Sequence, residues 1–178
     1  MPEPAPPRGE VAAMVAVQSA LTERPWTLAA ARGLSFFGEH SIGWLVVSLL
    51  GAVMTPRRRR DWLVAGAGSF AAHAAAVVIK RLVRRKRPHH PAVAINVGVP
   101  SQLSFPSAHA TSTTAAAILM GRAVKLPKGV VPAVLVPPMA LSRILAGVHY
   151  PSDVAAGVAL GAAVAAIAVR VDGGVSDE

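Results

Sequence analysis

Residues 142–153 read "SRILAGVHYPSD". An arginine, a histidine and an aspartate stand here where two apolar runs, 129–146 and 153–170, meet. Pro151 suits the first position of a helix, since its missing N–H would have no partner there anyway. That places Asp153 in the first helical turn, where a carboxylate reaches back toward the residues before the helix. The stretch therefore reads as a polar joint between two oily helices, and it predicts a helix bundle whose chemistry gathers at one end.

Working outward, three further stretches approach the roughly 20 residues that a membrane span requires: 34–54, 61–79 and 106–124. The chain has 178 residues, 53% of them hydrophobic, and a mean hydropathy of +0.48. That suits one domain and is too oily for an ordinary soluble one. Eighteen Lys and Arg against nine Asp and Glu give a formal net charge of +9. Nucleic acid is a poor explanation of that excess, because only 3 Trp, 4 Phe and 1 Tyr are available for stacking. The expected fold is an all-α, polytopic membrane bundle of about five spans. A short interfacial helix over 11–22 precedes it, too short to cross and apolar on much of its circumference. Residues 1–10, Pro-rich and without the pattern of a signal peptide, read as a disordered tail. Residues 172–178 read as a second, acidic tail, leaving one domain over 11–171. The absence of cysteine excludes a disulfide framework and thiolate metal sites.

Following the spans back and forth brings their ends at 80, 106, 146 and 153 to one face of the bilayer. Three polar clusters meet there: "KRLVRRKRP" (80–88), "FPSAHA" (105–110) and the opening stretch. The other face receives two short basic turns, "TPRRRR" and "GRAVKLPKG". Residues 80–105 lack helical periodicity, and a connection of that length inside a compact domain is usually functional or disordered.

Acids are distributed very unevenly: from 62 to 171 the sole carboxylate is Asp153. A site holding divalent ions needs several carboxylates or a His/Asp cluster. Here only His89, His90, His109 and His149 could contribute beside that acid, so no metal and no cofactor is expected. The same residues suit phosphoryl transfer without a metal. Fixed cations, Lys80, Arg87 and Arg143, can neutralise the phosphoryl oxygens. A histidine can attack phosphorus when a carboxylate holds its other nitrogen, as His149 and Asp153 would. His109 is available to protonate the leaving oxygen.

These clusters resemble the motifs of the type 2 phosphatidic acid phosphatase (PAP2) superfamily, which also includes vanadium haloperoxidases. Lys80, Arg87 and Pro88 match the first motif, Pro106, Ser107 and His109 the second, and Ser142, Arg143, His149 and Asp153 the third. The resemblance spans about 34–171. It implies a compact helical core, His149 as nucleophile, Asp153 as its orienting partner and His109 as general acid. It further implies Lys80, Arg87, Ser107 and Arg143 as phosphate ligands and a lipid phosphate as substrate. Ala108 stands where the pattern usually has Gly; a helix-start conformation there would tolerate it, a positive φ would not.

Taken singly, each residue has a plainer reading. Asp153 could answer a helix dipole, Lys80 and Arg143 could snorkel at span ends, Ser107 could be an N-cap, and His109 could be a satisfied core histidine. Independent accidents would hardly reproduce three ordered, correctly spaced motifs. Arg84, Arg85 and Lys86 read instead as a solvated basic loop attractive to anionic headgroups. For Glu39, His40 and His73, inside spans, packing or a local hydrogen bond is the expectation, and "TSTT" (111–114) should allow close helix packing.

The basic residues divide almost evenly between the faces, so the positive-inside rule gives no orientation. Family precedent implies a site on the extracytoplasmic side of a bacterial plasma membrane. It also implies a polyprenyl-linked substrate. The Ala- and Arg-rich composition is similar to that of high-GC actinobacteria, which favours decaprenylphosphoryl-5-phosphoribose, on the route to cell-wall arabinan, over undecaprenyl diphosphate or phosphatidylglycerol phosphate. A non-catalytic binder of anionic lipids, or a small transporter, is the alternative of another class, although no inverted repeat is visible.

Overall fold

Seven helices follow one another in the computed structural model, which describes residues 6–99 and 101–174. They are α1 (Gly9–Leu21), α2 (Pro25–Gly38), α3 (Ile42–Met54), α4 (Arg59–Val83), α5 (Ala108–Ala123), α6 (Val130–Leu145) and α7 (Pro151–Gly174), with 3₁₀ turns at Glu39–Ser41 and Pro56–Arg58. Among the described residues the sole β contact is an isolated bridge between Lys86 and Leu103. The all-α expectation holds. Three segments are long and apolar enough to cross a bilayer: Pro25–Met54, Pro56–Val83 and Pro151–Gly174. The other two expected spans, α5 and α6, have 16 residues each, about 24 Å of helix.

α5 is the hub, packed against α4, α6 and α7. Its side chains explain the position. Ala110, Thr111, Ser112, Thr113, Ala115, Ala116 and Ala117 are all buried, and small residues let backbones approach closely. Gly157 of α7 meets the first turn of α5 so tightly that a Cβ there would lie 2.7 Å from the Ser107 carbonyl oxygen. The outer surface is the converse. Phe36, Leu49, Val53, Phe70, Leu82 and Ile167 are exposed, a belt that water would penalise and lipid would cover.

Several bounds differ from expectation. The first span begins nine residues earlier, at Pro25, and breaks at Glu39–Ser41, where His40 and Ser41 adopt left-handed backbone (φ 49° and 65°). Neither is glycine, so no residue suited to a positive φ marks the two left-handed positions, although Gly38 and Gly43 flank them. Gly9 and Glu10, expected in the tail, open α1, which packs on α6 and α7 and buries Met14 and Gln18. At the other end α7 continues to Gly174 because Asp172 is paired with Arg60 (2.8 Å) and Arg122 (2.6 Å). The outer parts of both expected tails, 1–5 and 175–178, lie outside the described residues.

The long connection between α4 and α5 is pinned at several points. Ser104 N–H donates to the Arg85 carbonyl (2.8 Å). Gln18 of α1 donates to the Ala94 carbonyl (2.8 Å) and accepts from the Ala94 N–H (3.0 Å). Asn96 Nδ2 donates to the Leu145 carbonyl (2.8 Å). Gly147 makes this docking possible: its φ is +73°, and a Cβ would lie 2.1 Å from the Ala94 oxygen.

Candidate active site

Lys80 closes the last turn of α4, buried, with Nζ donating to the carbonyls of Leu103 (3.0 Å) and Ser104 (3.2 Å). Arg84 then turns the chain in a left-handed conformation (φ 56°), and three residues later Arg87 points back into the bundle. Its Nε donates to Ser101 O (2.7 Å) and its Nη1 to Val148 O (2.6 Å), which leaves Nη1 3.4 Å from His149 Nε2. Arg143, in the last turn of α6, is buried, with Nε on Ser142 Oγ (3.1 Å) and Nη2 on Ser35 Oγ of α2. Lys80, Arg87, His109, Arg143 and His149 line one cavity of about 820 Å³.

Asp153 lies behind His149 and is fully buried. Its Oδ2 accepts the Tyr150 N–H (2.9 Å), the reach-back contact expected of a carboxylate in a first helical turn. The same oxygen lies 3.6 Å from His149 Nδ1, longer than a hydrogen bond, so the two meet as an ion-pair contact. His149 Nδ1 thus faces the acid and Nε2 faces Arg87. Burial, only partly opposed by Asp153 and reinforced by Arg87 and Lys80, pushes the His149 imidazole down to about 4, so the ring is neutral in the neutral pH range. Burial likewise pushes Arg87 down to about 10, against the pull of Asp153, and it stays charged.

Ser107 is buried and accepts from Ala110 N–H (3.5 Å), so it caps α5, while its own N–H donates to the Asp153 carbonyl (3.0 Å) and ties α5 to α7. Ala108 is the first residue of α5, outside the positive-φ positions, and it borders the cavity. The departure from glycine therefore costs no backbone strain. His109 Nε2 lies 3.0 Å from the Ser35 carbonyl. A carbonyl can only accept, so that nitrogen carries the proton.

Arg85, read from sequence as part of a solvated loop, belongs with these residues. Its Nη1 donates to Asp153 Oδ1 (2.8 Å) and Ser152 Oγ (2.6 Å), and its Nη2 to Glu10 Oε2 of α1 (2.7 Å). The guanidinium also lies 4.1 Å from the centre of the Tyr150 ring. Burial disfavours its charge, but Glu10 and Asp153 outweigh that and raise its pKa. Glu10 in turn accepts the Ser152 N–H (2.7 Å). Burial works against the Glu10 charge as well, yet Ser152 and Arg85 hold its carboxyl below the ordinary value. Arg84 and Lys86 are exposed, as expected of a basic loop. Among the described residues no three His, Cys, Asp or Glu side chains gather as metal ligands, and His89 and His90 are not among the residues that line the cavity.

The sequence model of the PAP2 superfamily matches residues 61–175. The chain belongs to that superfamily. It is 76% identical to a decaprenylphosphoryl-5-phosphoribose phosphatase of Mycobacterium tuberculosis, over 94% of this chain and 93% of that one. It is 63% identical to a protein of the same name from Mycolicibacterium smegmatis, over 85% of this chain and 82% of the relative. In fold it is similar to the crystal structure of a transmembrane PAP2 type phosphatidylglycerolphosphate phosphatase from Bacillus subtilis. The TM-score is 0.73 at 24% identity, covering 90% of this chain and 85% of that one. At that identity the likeness speaks to the fold alone. With three membrane-length apolar helices, this PAP2 protein is an integral membrane protein.

Proposed function

We propose that this protein is a lipid phosphatase that removes the 5-phosphate of decaprenylphosphoryl-5-phosphoribose through a phosphohistidine, without a metal. The observation that carries the reading is the arrangement around one cavity: three buried or half-buried cations, two histidines, and an acid behind one of them. The mycobacterial relatives named for that substrate support the choice of lipid.

The phosphate oxygens sit among Lys80, Arg87 and Arg143 and the free amides at the start of α5, where Ser107 fixes the helix end. His149 Nε2, neutral and with a lone pair, attacks phosphorus as the bond to the C5 oxygen of the ribose breaks. Asp153 faces the positive charge that develops at Nδ1. His109 keeps its Nε2–H on the Ser35 carbonyl and enters the reaction with a second proton on Nδ1. It gives that proton to the departing oxygen, and Nδ1 afterwards takes one from the water that splits the phosphohistidine. The site faces the extracytoplasmic side of the bacterial plasma membrane, where a lipid keeps its tail in the bilayer while its head enters the cavity.

Phosphate release by purified protein in EDTA, from polyprenyl sugar phosphates, polyprenyl diphosphates and phosphatidate, tests this beside His149→Ala. The expected result is release from the sugar phosphate, absent in the variant, and inhibited by vanadate. Equal turnover in the variant would sink the histidine mechanism, and preference for another lipid would sink the substrate.

A further inference from the structure

Among the ionisable side chains of the membrane-length segments that take no part in this mechanism, three cluster: Glu39 and His40 at the break between α2 and α3, and His73 in α4. Such groups are costly within a bilayer and are functional candidates for that reason. The fold brings them together and onto the wall of the catalytic cavity. The His40 and His73 rings lie 5.8 Å apart, and Glu39 Oε1 lies 4.0 Å from His40 Nδ1. The chain meets a conformational cost to do so. Two consecutive residues other than glycine, His40 and Ser41, are left-handed, and the break is braced by Ser41 Oγ against Ser69 Oγ at 2.5 Å.

We infer that Glu39, His40 and His73 form a second subsite of the cavity, one that binds the hydroxyls of the sugar between the lipid and the reacting phosphate. The inference rests on the sugar phosphate reading given above. His73 and Lys80 are seven residues apart on α4, hence on one face and about 10 Å apart along the axis. A headgroup whose phosphate is held at Lys80 and His149 brings its next atoms past the trio. A second phosphate is disfavoured beside the Glu39 carboxylate, which accepts readily from hydroxyls, although Arg32 and Arg81 also line the cavity. His73 Nδ1 is buried without a hydrogen-bond partner, and a ring turned toward the sugar would satisfy it. A headgroup without hydroxyls would lay bare methylene against these polar groups and leave them unpaired, which is how such a pocket rejects a substrate.

The test compares the full chain in detergent with His73→Phe, Glu39→Leu and His73→Gln. Substrates are decaprenylphosphoryl-5-phosphoribose and decaprenyl diphosphate, and vanadate inhibition reports the phosphate end of the cavity. Expected is a loss of about tenfold or more in kcat/KM on the sugar lipid for His73→Phe and Glu39→Leu, carried by KM. His73→Gln, which keeps a hydrogen-bonding group, retains most of the activity. Turnover of the diphosphate and inhibition by vanadate stay within about twofold. Equal losses on both lipids, vanadate inhibition weakened as much as sugar-lipid turnover, or no loss at all would overturn the subsite while leaving the phosphatase reading intact. A wild-type protein that cleaves the diphosphate but not the sugar lipid would overturn both.

Discussion

His149 owes its reactivity to burial. A histidine in water takes up a proton near its ordinary value of 6.5, whereas this ring is held down to about 4. The sign matters: below its pKa the ring is protonated and has no lone pair to offer phosphorus, above it the ring is neutral and nucleophilic. We expect ¹⁵N imidazole shifts of His149 to stay at neutral-ring values as pH is lowered through 6.5, changing only near 4. A midpoint at the ordinary value would refute the buried, neutral nucleophile. Arg85 acts at the same scale, one contact further out. It fills the acceptor oxygen of Asp153 that does not face His149, and a charged hydrogen bond of this kind is worth about 1.5–3 kcal/mol. Arg85→Ala should therefore lower kcat roughly 10- to 100-fold with little change in KM, because the residue touches Asp153 and not the phosphate. Glu10→Gln, at a partly exposed pair, should cost only a few-fold. A pure KM effect in Arg85→Ala would instead place Arg85 on the substrate.

Elements set where those residues meet. The contact between α5 and α7 holds Ser107 against Asp153, and it exists because Gly157 has no Cβ to strike the Ser107 carbonyl. Gly157→Val should separate the two helix starts, lower stability by about 1–3 kcal/mol as an overpacked core does, and reduce kcat with it. A variant of unchanged thermal stability and activity would show that the helices can part without disturbing the site. The motif residues were legible in the sequence because their spacing follows local geometry: Pro151 starts a helix and Asp153 sits in its first turn whatever surrounds them. Arg85 and Glu10 were not legible. The direction of Arg85 depends on the left-handed turn at Arg84, which no glycine announces, and Glu10 lies at the edge of a Pro-rich stretch that reads as tail. The α2–α3 break was hidden for the same reason, so Glu39 and His40 looked like interruptions of one continuous span.

For the whole molecule, the decisive asymmetry is between its two ends. The cavity end carries Lys80, Arg87 and Arg143 to hold an anion; the far end carries Arg58, Arg60 and Arg122, already matched by Asp61 and Asp172. Counting basic residues in the sequence weighs these ends alike, which is why charge gave no orientation. The positive-inside rule counts Lys and Arg whether or not an acid pairs with them, so this difference in pairing sets no orientation and the side has to be measured. The chain lacks cysteine, so a single introduced thiol reports its own location. His89 on the cavity face and Lys128 on the other are both exposed. If the site opens outside the cytoplasm, a membrane-impermeant maleimide added to intact cells should label His89→Cys, and label Lys128→Cys only after permeabilisation. The reverse pattern would turn the molecule over, place hydrolysis on the cytoplasmic leaflet, and require the lipid product to cross the membrane after the phosphate is lost instead of before.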